Sequence, residues 1–185
     1  MTKLLAVCAL TMLSIAAWAT GIDDISNFRQ YSDNFASSGQ PTERQLQLLQ
    51  EDGFERVVYI AYSDHRNSLK NEDRLVKKLG MEYLHIPVEW ERPTKSDFYL
   101  FAGALQKAPD KKTLLHCQVN FRASAFSFLY RVIYEGVPLA QAKADMNTVW
   151  TPNETWKALI FDLLEENGIA HQCDGCDWSA KEMQH

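Results

Sequence analysis

The chain has 185 residues, of which 46% are apolar and 23% charged, and its formal net charge is −5. This length suits one domain with its own core, and the acidic balance argues against nucleic acid as a partner, because phosphate backbones require a basic surface. A local positive site for one small anion is compatible with that charge.

The first residues have the pattern of a secretory signal peptide. Lys3 is the only charged residue before Asp23, an apolar run extends from Leu4 to Ala17, and Ala17-Trp18-Ala19 is a small-x-small cleavage site. A membrane anchor is the weaker interpretation, because the apolar run is short for a bilayer span. We predict that residues 1–19 are removed, leaving a mature chain of net charge −6 in the periplasm or outside the cell, without a membrane span.

Cysteine usage points to one free thiol. Cleavage removes Cys8 and leaves three cysteines, namely Cys117, Cys173 and Cys176. In an oxidising compartment an odd count leaves one thiol free or engaged between chains. The close pair in "CDGC" is the natural disulfide, and Cys117 is then the free thiol.

Two other interpretations of the Cys173 and Cys176 pair stay open. The pair can act as a redox partner that exchanges with Cys117. It can also contribute to a metal site with His171 and His185, although a single CxxC is a weak zinc signal. The disulfide is the interpretation we prefer, so we predict neither a metal nor a cofactor.

After the leader, the chain alternates β-rich runs with amphipathic stretches. Phe35 to Gln40 is predicted as a strand that ends in a turn. A helix is predicted to start with Pro41 at its first position, with Thr42 and Gln45 resembling a capping box, and Gly53 marks its end.

Three more strands and five more helices are predicted. The strands are the apolar, β-branched or aromatic runs Glu55–Tyr62, Glu82–Val88 and Thr113–Cys117. The helices are predicted from Leu69 to Gly80, from a cap at Ser96, from Ala123 to about Glu135, from Pro138 to Trp150, and from Asn153 to Gly168.

This alternation predicts an α/β fold with a mostly parallel central sheet flanked by helices in three layers. One domain, residues 20–168, holds these elements, and residues 169–185 form a tail with the CxxC pair. Ligands of such folds bind beyond the carboxyl ends of the strands. The segment "HCQVNFR" lies at such an end and directly precedes a helix, which makes it the predicted site.

The segment "HCQVNFRAS" combines a nucleophile with an anion clamp. At a helix start, unpaired N–H groups and a partial positive charge stabilise the thiolate of Cys117 and can hold an oxyanion. Arg122 adds a planar fork for bidentate binding of phosphate-like groups, and Asn120 tolerates a positive φ. A buried structural cysteine is the alternative, but an arginine so close to Cys117 at a strand-to-helix turn favours catalysis.

The same segment resembles the phosphate-binding loop of the dual-specificity protein phosphatase superfamily. "SSGQPTERQLQLLQEDGFERVVYI" resembles the N-terminal half of a bacterial group within it, the beta-lactamase-hydrolase-like phosphatase-like domains, which commonly carry a short Cys-x4-Arg loop. "YLHIPVEW" and "TPNETWKALIFDLLEENG" lie where those folds have the acid loop and a late helix. The resemblance covers about Ile25 to Gly168 and implies a dual-specificity-phosphatase-like fold.

The resemblance also assigns roles to the residues of the loop. Cys117 is implied as the nucleophile, and His116 matches the histidine that supports the loop by hydrogen bonding. Ser124 matches the hydroxyl that helps the thiolate leave. The implied substrate-binding residues are Gln118, Val119, Asn120, Phe121, Arg122, Ala123 and Ser124.

The spacing between cysteine and arginine departs from the superfamily pattern. Ala123 occupies the position where the arginine is usual, and Arg122 lies one position earlier. This shorter loop resembles that of rhodanese-type sulfurtransferases, whose cysteine carries a persulfide. A loop with one N–H fewer forms a tighter cradle, which disfavours a tetrahedral phosphate without excluding it.

The general acid is the second departure. Phosphatases of this kind use an aspartate before the cysteine to protonate the leaving oxygen, but Trp90 stands at the matching position. Its neighbours Glu89 and Glu91 are candidates, as is Asp64 on the neighbouring loop, and each is otherwise an ordinary surface acid.

The leading prediction is a cysteine-dependent phosphatase that hydrolyses phosphate monoesters through a phosphocysteine intermediate. Sulfur transfer through a Cys117 persulfide is the rival enzymatic function. A catalytically inert module that holds a phosphorylated or sulfated ligand is the third. All three imply an anionic partner that contains phosphate or sulfur.

Overall fold

A computed structural model describes residues 21–179 of the chain. The predicted signal peptide, residues 1–19, lies outside the described residues. Within them, none of the helices combines the length and apolarity needed to cross a bilayer.

The fold is built on a five-stranded sheet. Its strands are β1 (Arg29–Ser32), β2 (Phe35–Ser38), β3 (Arg56–Tyr59), β4 (Glu82–His85) and β5 (Thr113–His116), in the spatial order β1-β2-β5-β3-β4. The pairs β2–β5, β3–β5 and β3–β4 are parallel, and only β1 pairs antiparallel with its neighbour. The predicted mostly parallel sheet is confirmed.

Within residues 21–179, six α-helices follow a short 3₁₀ turn at Ile22–Asp24 and cover the sheet. They are α1 (Glu43–Glu51), α2 (Glu72–Lys78), α3 (Lys95–Lys107), α4 (Phe121–Ile133), α5 (Leu139–Asn147) and α6 (Glu154–Glu166). One core lies between the sheet and α1 and α2, and a larger one lies between the sheet and α3, α4 and α6. The three predicted layers are therefore present.

Several helix starts differ from the prediction: α2 begins at Glu72 instead of Leu69, α4 begins at Phe121 instead of Ala123, and the caps of α1 and α3 are displaced. Thr42 caps α1, and its capping box with Gln45 is present, so Pro41 precedes the cap instead of starting the helix. Thr94, and not Ser96, caps α3 through a second capping box with Asp97. In both cases the hydroxyl accepts the backbone N–H three residues later, which a residue inside the helix is not placed to do.

Strand β1 is an element that the sequence analysis does not predict. It alternates half-buried and exposed residues at the sheet edge, so its apolar signal is weak. The strand is defined by its antiparallel pairing with β2. That pairing exists only in the folded chain, so the sequence of β1 alone does not predict it.

The tail after α6 packs back onto the domain. Cys173 and Cys176 form a disulfide there, and the ring of Trp178 contacts Phe128 of α4 and Phe161 of α6 edge-on, with centroids 5.9 and 5.0 Å away. The Trp178 indole also donates to the carbonyl of His171 at 2.9 Å.

Candidate active site

The parallel strands place four connections at one edge of the sheet, where the carboxyl ends of β2, β3, β4 and β5 meet. Cys117 follows β5 directly and α4 begins at Phe121, so residues 117–120 form a tight strand-to-helix loop. We call residues 117–122 the cysteine loop. Asn120 turns the chain into α4 with φ 72° and ψ 0°, in the left-handed region, as the sequence analysis predicts.

Asn27 and Gly39, which precede the loop in the chain, contact the cysteine loop and hold its backbone in place. The side chain of Asn27 donates to the carbonyl of Val119 at 3.0 Å, and that of Asn120 donates to the carbonyl of Asn27 at 2.6 Å. Gly39 approaches so closely that a Cβ there would lie 2.9 Å from the carbonyl oxygen of Gln118. Only glycine fits this contact without displacing the loop.

Arg122 points back across the loop towards Gln118, the residue after Cys117. Its Nε donates to the carbonyl of Val88 at 3.1 Å, its Nη1 donates to Oε1 of Gln118 at 2.9 Å, and its guanidinium lies 5.1 Å from the ring of Trp90. Burial lowers the pKa of Arg122, and the charge of Cys117 opposes that shift, yet guanidinium remains charged at any physiological pH.

Cys117 is the free thiol of the described residues and is fully buried. The side chain of Gln118 beside it bonds to Arg122 and donates from Nε2 to the hydroxyl of Tyr59 at 3.3 Å. The side-chain oxygen of Gln118 thus holds Arg122 in place and occupies the position where an anion would otherwise bind.

His116 lies beneath the loop in a buried polar cluster. Its Nε2 is 3.2 Å from Oε1 of Glu72, within ion-pair distance. Its ring stacks on Tyr59 with centroids 4.7 Å apart. Glu72 also accepts from Nε2 of Gln40 at 2.8 Å and from the hydroxyl of Tyr83 at 3.4 Å. These contacts fix the His116 ring next to Cys117.

Burial raises the pKa of the two tyrosines in this cluster. For Tyr59 the hydrogen bond with Ser68 opposes the shift, whereas for Tyr83 the charge of Glu72 adds to it. Both phenols are therefore neutral donors over the physiological range.

A cleft of about 1,030 Å³ opens in front of the cysteine loop. Its apolar wall consists mainly of aromatic rings. The lining residues are Tyr62, Asp64, His65, Arg66, Asn67, Trp90, Gln118, Val119, Phe121 and Arg122. Arg122 thus lines the open cleft while it is bonded to Gln118, the residue next to the buried thiol.

The three acid candidates lie in different places. Asp64 lines the cleft together with Arg122. Glu89 pairs with Arg92 at 3.1 Å on the surface, Glu91 is exposed, and neither lines the cleft. Trp90 between them turns inward, and its carbonyl accepts from the indole of Trp156 at 3.0 Å.

The remaining loop residues divide between the cleft and the core. Gln118, Val119, Phe121 and Arg122 line the cleft, whereas Asn120, Ala123 and Ser124 are buried. The hydroxyl of Ser124 donates to the carbonyl of Phe121 and accepts from the indole of Trp150, each at 3.1 Å. In this conformation the hydroxyl is engaged by partners other than Cys117.

Several residues of the site are absent from the sequence prediction. Glu72, Tyr59, Asn27 and Arg66 reach the loop or the cleft from other elements. Tyr59 and Arg66 could have been found from the sequence, because Tyr59 ends β3 and Arg66 lies in the connection that follows it. Ligands of parallel sheets bind beyond the carboxyl ends of the strands. Among residues 21–179 no three His, Cys, Asp or Glu side chains are grouped to hold a metal ion, and His185 lies beyond them.

A family model described as "DSP-PTPase phosphatase fused to NAD+ Kinase" matches residues 11–159 of the chain. No curated protein matches the chain.

Solved structures share the fold. A DUF442 protein of Shewanella putrefaciens CN-32, which carries the name "putative phosphatase", is 31% identical over 77% of this chain and 91% of its own, with a TM-score of 0.71. Tk-PTP in its active form is 20% identical over 76% of this chain and 95% of its own, with a TM-score of 0.61. TpbA of P. aeruginosa is 20% identical over 74% of this chain and 84% of its own, with a TM-score of 0.60, and a cysteine-to-serine variant of TpbA was crystallised in complex with pTyr.

Proposed function

Because the chain belongs to the DSP-PTPase phosphatase family, we propose that it hydrolyses phosphate monoesters through a phosphocysteine intermediate on Cys117. The observation that carries the proposal is the position of Cys117 and Arg122 on one tight strand-to-helix loop at the start of α4, with Arg122 bonded to Gln118 next to Cys117. The pair offers a nucleophile and a planar anion clamp at one point.

In the first step the Cys117 thiolate attacks phosphorus, the S–P bond forms, and the bond to the ester oxygen breaks. The leaving oxygen takes a proton from Asp64, the candidate acid that lines the cleft. The non-bridging oxygens lie against Arg122 and the unpaired N–H groups that begin α4. For this, the phosphoryl group replaces Oε1 of Gln118 as an acceptor of Arg122.

In the second step water attacks phosphorus of the phosphocysteine, and the S–P bond breaks to return the thiolate. The carboxylate formed on Asp64 accepts the proton of that water, so the acid of the first step is the base of the second. Inorganic phosphate leaves, and the protein returns to its starting state.

Trapping the covalent intermediate tests this proposal. The protein, mixed with an aryl phosphate and quenched within one turnover, should carry one phosphoryl group on the peptide that contains Cys117, as measured by mass spectrometry. Absence of the adduct together with absence of phosphate release would refute it.

The short spacing between Cys117 and Arg122 supports sulfur transfer as a second candidate. In the same experiment with thiosulfate, a sulfurtransferase would gain one sulfur atom on Cys117 and would release thiocyanate when cyanide is added. A protein that takes up neither group but binds phosphate would be an inert anion-binding module.

The role of Asp64 predicts a dependence on the leaving group. Replacing Asp64 by asparagine should slow hydrolysis of phenyl phosphate by about 10²-fold, because proton donation is lost. Hydrolysis of para-nitrophenyl phosphate, whose leaving group needs little protonation, should slow far less.

Glu89→Gln and Glu91→Gln are the matched controls, since neither side chain lines the cleft. Steady-state rates with both esters separate the three acids. A loss confined to either glutamate variant would move the acid to the Glu89–Glu91 segment.

A further inference from the structure

The cleft is much larger than a phosphoryl group needs. The cysteine loop forms one side of its volume of about 1,030 Å³, and the connection from β3 to α2 forms another with Tyr62 and residues 64–67. The organic body of a substrate whose phosphoryl group is held by Arg122 would extend along this connection. The groups that the body meets there determine which esters bind well.

Arg66 on this connection is a cation without a protein partner among the described residues. It is exposed and lines the cleft, and neither the hydrogen bonds nor the ion pairs of residues 21–179 include it. Some exposed cations are paired, as Lys95 is with Glu166, whereas Lys70 and Arg74 have no side-chain partner among residues 21–179 either. Arg66 differs from these two in lining the cleft. Arg122, the second cation of the cleft, is bonded to Val88 and Gln118.

The charge of the cleft contrasts with that of the whole chain. The chain is acidic, with a net charge of −5, whereas two arginines and a single carboxylate, Asp64, line the cleft. A concave site with a local excess of positive charge concentrates anions. Because the proposed reaction uses the Asp64 carboxyl at the leaving oxygen, Arg66 is the group free to meet a second anion.

The cleft that the two arginines line has several aromatic side chains in its wall. Tyr62 is 45% exposed, the guanidinium of Arg122 lies 5.1 Å from the Trp90 ring, and Phe121 stacks on Trp150 with centroids 4.9 Å apart. Such walls suit an aromatic body.

We propose that the preferred substrate is an aryl phosphate monoester whose body carries a second anionic group, and that Arg66 binds this group. The inference rests on the proposed phosphatase function and names the class of its substrate. Arginine suits the task because its fork accepts a carboxylate or a phosphate in bidentate fashion.

The expected gain is modest and depends on salt. A contact between an exposed arginine and an anion improves binding by about fivefold at most, since water competes for both groups. Added salt should reduce this gain, because exposed charges are screened.

Two phenyl phosphates that differ only in charge test the proposal. One carries a propanoate at the para position and the other carries the corresponding primary amide. We expect kcat/KM at low salt to favour the carboxylate about fivefold in the wild-type protein. The ratio should fall to about one in Arg66→Ala and should largely persist in Arg66→Lys.

Arg44→Ala is the control, because Arg44 is an exposed arginine of α1 that pairs with Glu51 and does not line the cleft. Its carboxylate-to-amide ratio should equal that of the wild type. A wild-type ratio of one, or an unchanged ratio in Arg66→Ala, would overturn the role of Arg66.

A binding measurement keeps this test independent of catalysis. Dissociation constants of both esters for Cys117→Ser, with and without Arg66→Ala, should give the same ratios by calorimetry. If the wild type hydrolyses neither ester, the phosphatase proposal fails, while the binding ratio still decides whether Arg66 recognises an anion.

Discussion

The Cys117→Ser protein is expected to hydrolyse para-nitrophenyl phosphate on the order of 10⁵-fold more slowly than the wild type, the scale of loss when a nucleophile is removed. A serine hydroxyl is a far weaker nucleophile than a thiolate, and no base is positioned to activate it in the cysteine loop. Cys117 is also the free cysteine of the described residues, so no neighbouring thiol can replace it.

The variant should still bind inorganic phosphate, because Arg122 and the start of α4 are unchanged. Release of phosphate measures the activity, and calorimetry measures the binding. Cys173→Ser with Cys176→Ser is the control, because these residues form a disulfide in the tail; it should keep its activity. Retention of more than a tenth of the wild-type rate by Cys117→Ser would contradict Cys117 as the nucleophile.

Replacing Arg122 should have the next largest effect. Arg122→Ala removes the donors that would face the equatorial oxygens of the transferring phosphoryl group, and kcat/KM should fall by about 10³-fold. Arg122→Lys keeps a positive charge but loses the fork, so it should recover only part of that loss. Steady-state kinetics on para-nitrophenyl phosphate give both values.

Arg92→Ala is the matched control for Arg122. Arg92 is exposed, pairs with Glu89 and lies outside the cleft, so its loss should leave kcat/KM near the wild-type value. Thermal unfolding of each variant separates catalysis from folding, because Arg122 also bonds to the carbonyl of Val88. Full activity in Arg122→Lys would show that charge alone suffices and that the fork is not used.

Elements with strong local signals were predictable. The buried runs of β3 and β5 and the capping box at Thr42 and Gln45 specify their own conformations. The first and last residues of the strands were less predictable, because a strand ends where its hydrogen-bonded pairing with a neighbouring strand ends. Strand β1 escaped prediction because its definition comes from pairing with β2 and not from an apolar pattern of its own.

The candidate site divides in the same way. Cys117, Asn120 and Arg122 lie within six consecutive residues, so spacing and helix-start chemistry were enough to single them out. The contact of His116 with Glu72 joins residues from different elements, so no local sequence pattern predicts it. The same holds for the acids, since only the folded connection after β3 shows that Asp64, and neither Glu89 nor Glu91, lines the cleft.

The packing of Trp178 has a consequence for any shortened form of the protein. Phe128, which Trp178 covers, belongs to α4, the helix whose first turn holds Arg122. Lys143 of α5 also lies against the Trp178 ring, with Nζ 4.5 Å from its centroid. Truncation after Gly168 would therefore expose an apolar patch on the helix that begins at the cysteine loop, because Trp178 covers that part of the core.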